Sequence, residues 1–141
     1  MNDLGPLSCH CLVARQMTRY VTKLYERHLE PSGITSTQLA ILNFIERHQE
    51  LTMNELAEML LMDRTTLVRA LKPLQIQGYV LTTRHLNEPR RHLLSLSPSG
   101  CLKIEEAMPL WEAAQHEYET EIGYEHARAL RNDLLRITGA L

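Results

Sequence analysis

Apolar residues return every three or four positions between Leu7 and about Leu29. Val13, Met17, Tyr20, Val21 and Leu24 form the stripe, widened by Leu12 and Tyr25, and Arg15, Arg19, Lys23, Glu26 and Arg27 fill much of the remainder. This spacing predicts an amphipathic helix of more than 20 residues. An apolar stripe of that length in a small chain points to continuation onto a partner. Pro31-Ser32-Gly33 ends the helix. A second helix is expected from Ser36 or Thr37 to about His48, on Leu39, Ile41, Leu42 and Ile45. A third starts at Thr52, which stands three residues before Glu55 in capping-box spacing, and buries Leu56, Ala57 and Leu60. Asp63 is a suitable N-cap for a fourth helix, Arg64 to about Gln77, stopped by Gly78. Its expected inner face is Leu67, Val68, Leu71 and Leu74, leaving Arg64, Thr65, Arg69 and Lys72 outward or flanking. Pro73 removes one hydrogen bond and disfavours helical geometry at Lys72, so a bend is expected there.

The period then changes to two. Tyr79–Arg84 is rich in β-formers and His92–Ser97 alternates Leu94 and Leu96 with polar residues, which predicts two strands. Between them, the polar and basic stretch from His85 to Arg91, with Pro89, reads as a hairpin tip. Ser97 caps a further helix with Pro98 in its tolerated first position. That helix runs through Leu102, Ile104, Ala107, Met108, Trp111, Ala114 and Tyr118, bent at Pro109. Gly123 breaks it, and a last helix, Tyr124 to about Ile137, carries Ala127, Leu130, Leu134 and Leu135. The class is mainly α with a small β-hairpin (α+β), without internal repeats or low-complexity tracts.

The 141 residues suit a single unit, 1–141, made of one compact domain with helical appendages. No apolar run approaches the ~20 residues that span a bilayer, and Met1–Leu7 lacks the regions of a signal peptide. A cytoplasmic location is therefore expected. Cys9, Cys11 and Cys101 are an odd set, which argues against a disulfide framework. The net charge of −2 speaks against nucleic acid until its distribution is considered. From Asp63 to His92 there are six cations against two anions, a net +4. From Cys101 to Glu125 one cation stands against seven glutamates, a net −6. A phosphate backbone is drawn to the first segment and repelled by the second.

Two consecutive capped helices, a cationic outward face on the second, and a basic hairpin after it are the ordering of a winged helix-turn-helix. A helix of this length fits the major groove of double-stranded DNA, and a hairpin tip reaches phosphates or the adjacent minor groove. The candidate DNA contacts are Arg64, Thr65, Thr66, Arg69 and Lys72 on the helix, and Arg84, Arg90 and Arg91 on the wing. The lobe is expected to span 34–100, flanked by helical regions 7–30 and 101–141. No Gly-rich phosphate loop, His-Glu-x-x-His or nucleophile elbow is present, so no enzyme, cofactor or metal is expected. A Cys9-His10-Cys11 metal site lacks four converging ligands, and residues two apart on a helix face different ways. A helical interaction module without DNA is the remaining alternative, and it leaves the basic hairpin unexplained.

The stretches Leu51-Thr52-Met53-Asn54-Glu55-Leu56-Ala57, Asp63-Arg64-Thr65-Thr66-Leu67-Val68-Arg69, Leu71-Lys72-Pro73-Leu74, Gly78-Tyr79-Val80 and Leu93-Leu94-Ser95-Leu96-Ser97-Pro98-Ser99-Gly100 together resemble the MarR (multiple antibiotic resistance) regulators. The similarity extends over nearly the whole chain. The family's wing Asp-x-Arg is matched by Glu88, Pro89 and Arg90, with Glu88 in place of the aspartate. The resemblance implies an obligate homodimer whose first and last two helices interlock. It also implies a palindromic operator, and a small-ligand or redox site between the dimerisation and DNA-binding parts. Recognition helices one DNA turn apart, roughly 34 Å, read half-sites ~10 bp apart.

Two signals are expected from this resemblance, and the sequence leaves both open. In the first, a phenolic or anionic aromatic carboxylate releases a repressor from its operator, held by Arg15 with help from His10 and Cys11. In the second, Cys11 is a redox sensor. It falls where the organic-peroxide-sensing branch of the family has its reactive cysteine, and Tyr25 aligns with a tyrosine that hydrogen-bonds that cysteine. A second tyrosine of that branch, one turn after the cysteine, is Arg15 here. A cation beside a thiol favours the reactive thiolate.

Overall fold

The computed structural model describes residues 4–140. The leader-free reading of Met1–Leu7 falls partly outside the described residues, at Met1 to Asp3, as does Leu141 at the end of the last helical region. In chain order the elements are α1 (His10–Leu29), α2 (Ser36–Arg47), β1 (Leu51–Thr52), α3 (Met53–Met59), α4 (Arg64–Ile76), β2 (Val80–Arg84), β3 (His92–Leu96), α5 (Pro98–Ile122) and α6 (Tyr124–Thr138). Short 3-10 turns occupy Gly5–Ser8 and Glu30–Ser32. No helix among the described residues is long and apolar enough to cross a membrane.

The helix starts follow from their caps. Thr52 accepts from the Glu55 amide at 3.2 Å while the Glu55 carboxylate accepts from the Thr52 amide at 2.8 Å, the reciprocal pair expected at α3. Thr35 and Gln38 make a second capping box at α2, just ahead of the expected start. Asp63 accepts from the Thr66 amide at 3.3 Å and starts α4. α1 begins later than expected: a turn carrying Pro6 precedes it, and Cys9 caps it by accepting from the Leu12 amide at 3.4 Å. α4 and α5 both continue through their internal prolines, Pro73 and Pro109.

The sheet has a strand that the sequence did not announce. β1 pairs antiparallel with β3 (Leu51↔Leu94, Thr52↔Leu93), and β3 pairs with β2 (Val80↔Leu96, Arg84↔His92), giving the order β1-β3-β2. Two residues are too short to show a period.

Leu39, Ile41 and Leu42 of α2, Leu56 of α3, and Leu67, Leu71 and Leu74 of α4 are almost fully buried with Leu51, Val80 and Leu94 of the sheet. At about 1.5–3 kcal/mol for each buried large aliphatic side chain, this cluster holds α2–α4 and the hairpin as one body. Val68 departs from expectation. The buried face of α4 is set by Leu67, Leu71 and Leu74, and one further residue turns Val68 by about 100°, leaving it 44% exposed on the side of Arg64 and Lys72.

α1 lies against α5, with Tyr20 donating to Glu121, Tyr25 to Gln115, and Arg27 and His28 bonding Glu117 at 3.0 and 2.6 Å. Tyr20 already meets the last turn of α5, so the stretch from His10 to Arg19 extends past that helix. α6 buries only Ala127 and leaves Leu134 52% and Ile137 81% exposed. Lys103 joins the start of α5 to the rest of the chain: its ammonium donates to the Ser32 carbonyl at 2.8 Å and lies 5.6 Å from the centre of the Tyr79 ring.

Candidate nucleic-acid interface

Burial of Leu67, Leu71 and Leu74 turns the opposite side of α4 outward, so Arg64, Thr65, Thr66, Arg69 and Lys72 are all exposed. The Arg64 guanidinium donates to Asn54 Oδ1 of α3 at 3.2 Å, which sets the side chain across the start of α4. Thr66 is committed to the cap, since both its amide and its hydroxyl donate to the Asp63 carboxylate. Those two bonds, the hydroxyl first, hold the Asp63 carboxyl below the usual carboxylate range. Thr65 is exposed at the same turn. Val68, between Arg64 and Lys72 on the helix surface, is the candidate contact the sequence reading missed. The signal was available: Leu67, Leu71 and Leu74 already complete an i, i+4, i+7 face without it.

On the wing, Arg84 sits opposite His92 at the end of the β2–β3 ladder. Arg84 and Arg90 are exposed, and Arg91 is half-buried. Arg91 forms ion pairs with Glu55 of α3 at 3.4 Å and Glu88 of the wing at 3.8 Å. Glu88 therefore engages Arg91, and not the Arg90 of the family's acid-x-Arg pattern. The Glu55 carboxyl lies below the usual range, mainly because the Thr52 amide and hydroxyl are bonded to it, with a smaller contribution from Arg91. A groove of about 820 Å³ lies between wing and helices, lined by Asn54 and Arg64 of the helices and by Arg90 and Arg91 of the wing.

His10, Cys11 and Arg15 are exposed on the first two turns of α1, on the stretch that extends past α5. Neither they nor Cys9 line the groove between wing and helices or the cleft bounded by Tyr20, Lys23, Leu24, Arg27 and Glu121. Cys11 and Tyr25 are 14 residues apart on one helix, about 21 Å along its axis. One chain therefore does not bring that pair together, and the Tyr25 hydroxyl instead bonds Gln115. Tyr25 is raised above the usual phenol range, first by burial.

A helix pair packed for insertion and a cationic hairpin at its side make this a winged helix-turn-helix, a DNA-binding architecture. The comparisons with known proteins make that class specific. A model of the MarR family matches residues 32–91. The organic hydroperoxide resistance transcriptional regulator of Bacillus subtilis is 31% identical over 100 residues, 71% of this chain and 68% of that protein. The HTH-type transcriptional regulator SarZ of Staphylococcus epidermidis is 30% identical over 90 residues, 64% of this chain and 61% of that protein. The M. tuberculosis transcriptional regulator MosR in complex with DNA matches with a TM-score of 0.83 and 31% identity, over 94% of this chain and 95% of that one. A mutant MarR from E. coli complexed with operator DNA shares the fold, with a TM-score of 0.82, 23% identity and 96% of each chain. The chain belongs to the MarR family and is a DNA-binding transcriptional regulator, not an enzyme.

Proposed function

We propose that the chain acts as a homodimeric repressor that places one α4 in each of two neighbouring major grooves of a pseudo-palindromic operator. The observation that carries this reading is the outward cationic face of α4 flanked by an exposed basic wing. Arg69 pairs with guanine, Thr65 and Val68 contact base edges or a thymine methyl, and Lys72, Arg84 and Arg90 contact phosphate or the minor groove. Residues 34–100 form the DNA-binding lobe. The overhanging start of α1 and the exposed apolar side of α6, within the regions 7–30 and 101–141, cover each other across the two-fold. Light scattering for a dimer, and a footprint on the DNA flanking the coding region, test the reading together. A monomer without salt-sensitive DNA protection rejects it.

The signal is proposed to enter at the overhanging start of α1. Oxidation of Cys11 draws on the likeness to the Bacillus subtilis organic hydroperoxide resistance transcriptional regulator. An organic hydroperoxide oxidises the thiol to a sulfenic acid and leaves as the alcohol. The second reading, an aromatic carboxylate held by Arg15, draws on the placing of that guanidinium one turn from Cys11 on α1. Cys11→Ser separates the two. Release from DNA by peroxide disappears in this variant under the first reading. Under the second, release by an aromatic acid survives Cys11→Ser and disappears in Arg15→Ala.

A further inference from the structure

Arg91 differs from the other cations of the interface. Arg64, Arg69, Lys72, Arg84 and Arg90 are exposed, whereas Arg91 is half-buried and reaches across to Glu55 of α3. Its Nη2 donates to Oε1 of Glu55 at 3.4 Å, and the other oxygen of that carboxylate accepts from the Thr52 amide at 2.8 Å. One carboxylate thus starts α3 and holds the wing. The Arg91 backbone closes the neck of the same wing: its amide donates to the Glu88 carbonyl and its carbonyl accepts from the His85 amide, both at 2.8 Å. Pairing of Thr52 with Leu93 brings this neck beside α3. Asn54, adjacent to Glu55, accepts from Arg64 at 3.2 Å. The first turn of α3 therefore touches the recognition helix on one side and the wing on the other.

We propose that the first turn of α3 is the alignment element of the DNA-binding surface, and that Arg91 is a positioning residue, fixing the wing over α4 through Glu55 instead of binding phosphate. The inference rests on the DNA-binding reading of this face. A phosphate approaching Arg91 has to displace a carboxylate already bonded there, so removing the charge of Glu55 has opposite consequences for the two roles. Glu55→Gln keeps an oxygen for the Thr52 amide and hence the capping box. If Arg91 positions the wing, this variant loosens it and weakens DNA binding. If Arg91 binds phosphate, the variant releases the guanidinium from α3, leaving only the longer pair with Glu88 at 3.8 Å, and strengthens binding.

The test uses the full chain and a duplex selected by the wild-type protein from a randomised DNA pool. Affinity is measured as a function of salt, and amide hydrogen exchange is followed in the DNA-free protein. Glu55→Gln and Arg91→Ala are each expected to weaken binding about two- to fivefold, the range set by an exposed ion pair. The double variant is expected to be no weaker than Arg91→Ala alone. The salt dependence stays unchanged, and the His85 and Arg91 amides exchange faster while those of α2 do not. Tighter binding by Glu55→Gln overturns the proposal. So does a fall of about 0.9 in the salt slope of Arg91→Ala, the mark of a lost phosphate contact, or unchanged wing exchange in both variants. Failure of the DNA reading has its own signature: the wild-type protein selects no duplex, while exchange still reports whether Glu55 holds the wing.

Discussion

Gly100, in the first turn of α5, meets the backbone where the wing begins. A Cβ placed on it lies 2.3 Å from the Tyr79 carbonyl oxygen and 3.1 Å from its carbon. Gly100→Ala thus sets two effects against each other. Helix propensity favours alanine by about 1 kcal/mol. Packing opposes it, because the helix and the Tyr79 carbonyl must separate by about 0.7 Å to reach even the tight limit of 3.0 Å. That carbonyl is held in turn: it accepts from the Ser97 amide at 3.0 Å, and the neighbouring Gly78 carbonyl accepts from the Ser99 hydroxyl at 3.2 Å. Overpacking against a fixed backbone costs ~3 kcal/mol, the upper part of its usual range, so the net loss is about 2 kcal/mol. Thermal unfolding at one protein concentration reads this as a fall in Tm of about 6 °C. A variant that melts at or above the wild-type temperature refutes the packing argument and leaves propensity as the governing effect.

Other consequences follow from the same geometry. Arg69→Ala is expected to lose roughly 1–3 kcal/mol of discrimination at one base pair, read by competition with operator variants, whereas Lys72→Ala weakens all duplexes alike and lowers the salt slope by about 1. Leu134→Glu on α6 is expected to shift the light-scattering mass from dimer to monomer at unchanged helix content. The carboxyls of Glu55, Asp63 and Glu117 are all held below the usual range in the folded chain, Glu117 first by its bond from His28. Their stabilisation is complete above the ordinary carboxylate pKa of about 4.5 and is lost as pH falls through the lowered values. Urea unfolding between pH 6 and pH 3 is expected to show that loss (~3 pH units of scan), and Glu117→Gln is expected to make it shallower.

Much of the fold was legible because local signals agreed. Thr52 with Glu55, Asp63 and Ser97 each mark a helix start, and Gly78 and Gly123 each mark a stop, within a residue or two of the structure. What was hidden depends on contacts distant in sequence. β1 exists only because Leu51 and Thr52 find β3, some 40 residues on. Val68 was read as core from hydrophobicity, although three leucines had already filled the face. The cations of α4 were legible as outward from spacing alone. The reach of Arg91 toward α3 was not, since it follows from Glu55, 36 positions earlier. Cys11 and Tyr25, linked only through the family resemblance, lie at opposite ends of one helix.

α5 runs unbroken for 25 residues, from the foot of the wing to the end that meets Tyr20 of α1. A rod of that many residues is about 37 Å long, and a tilt of only 5° displaces its far end by about 3 Å, close to the 3.4 Å rise of one base step. A disturbance near the start of the chain need not travel as a relay of altered contacts. It can arrive at the wing as a lever stroke, a full rung of the double helix out of step.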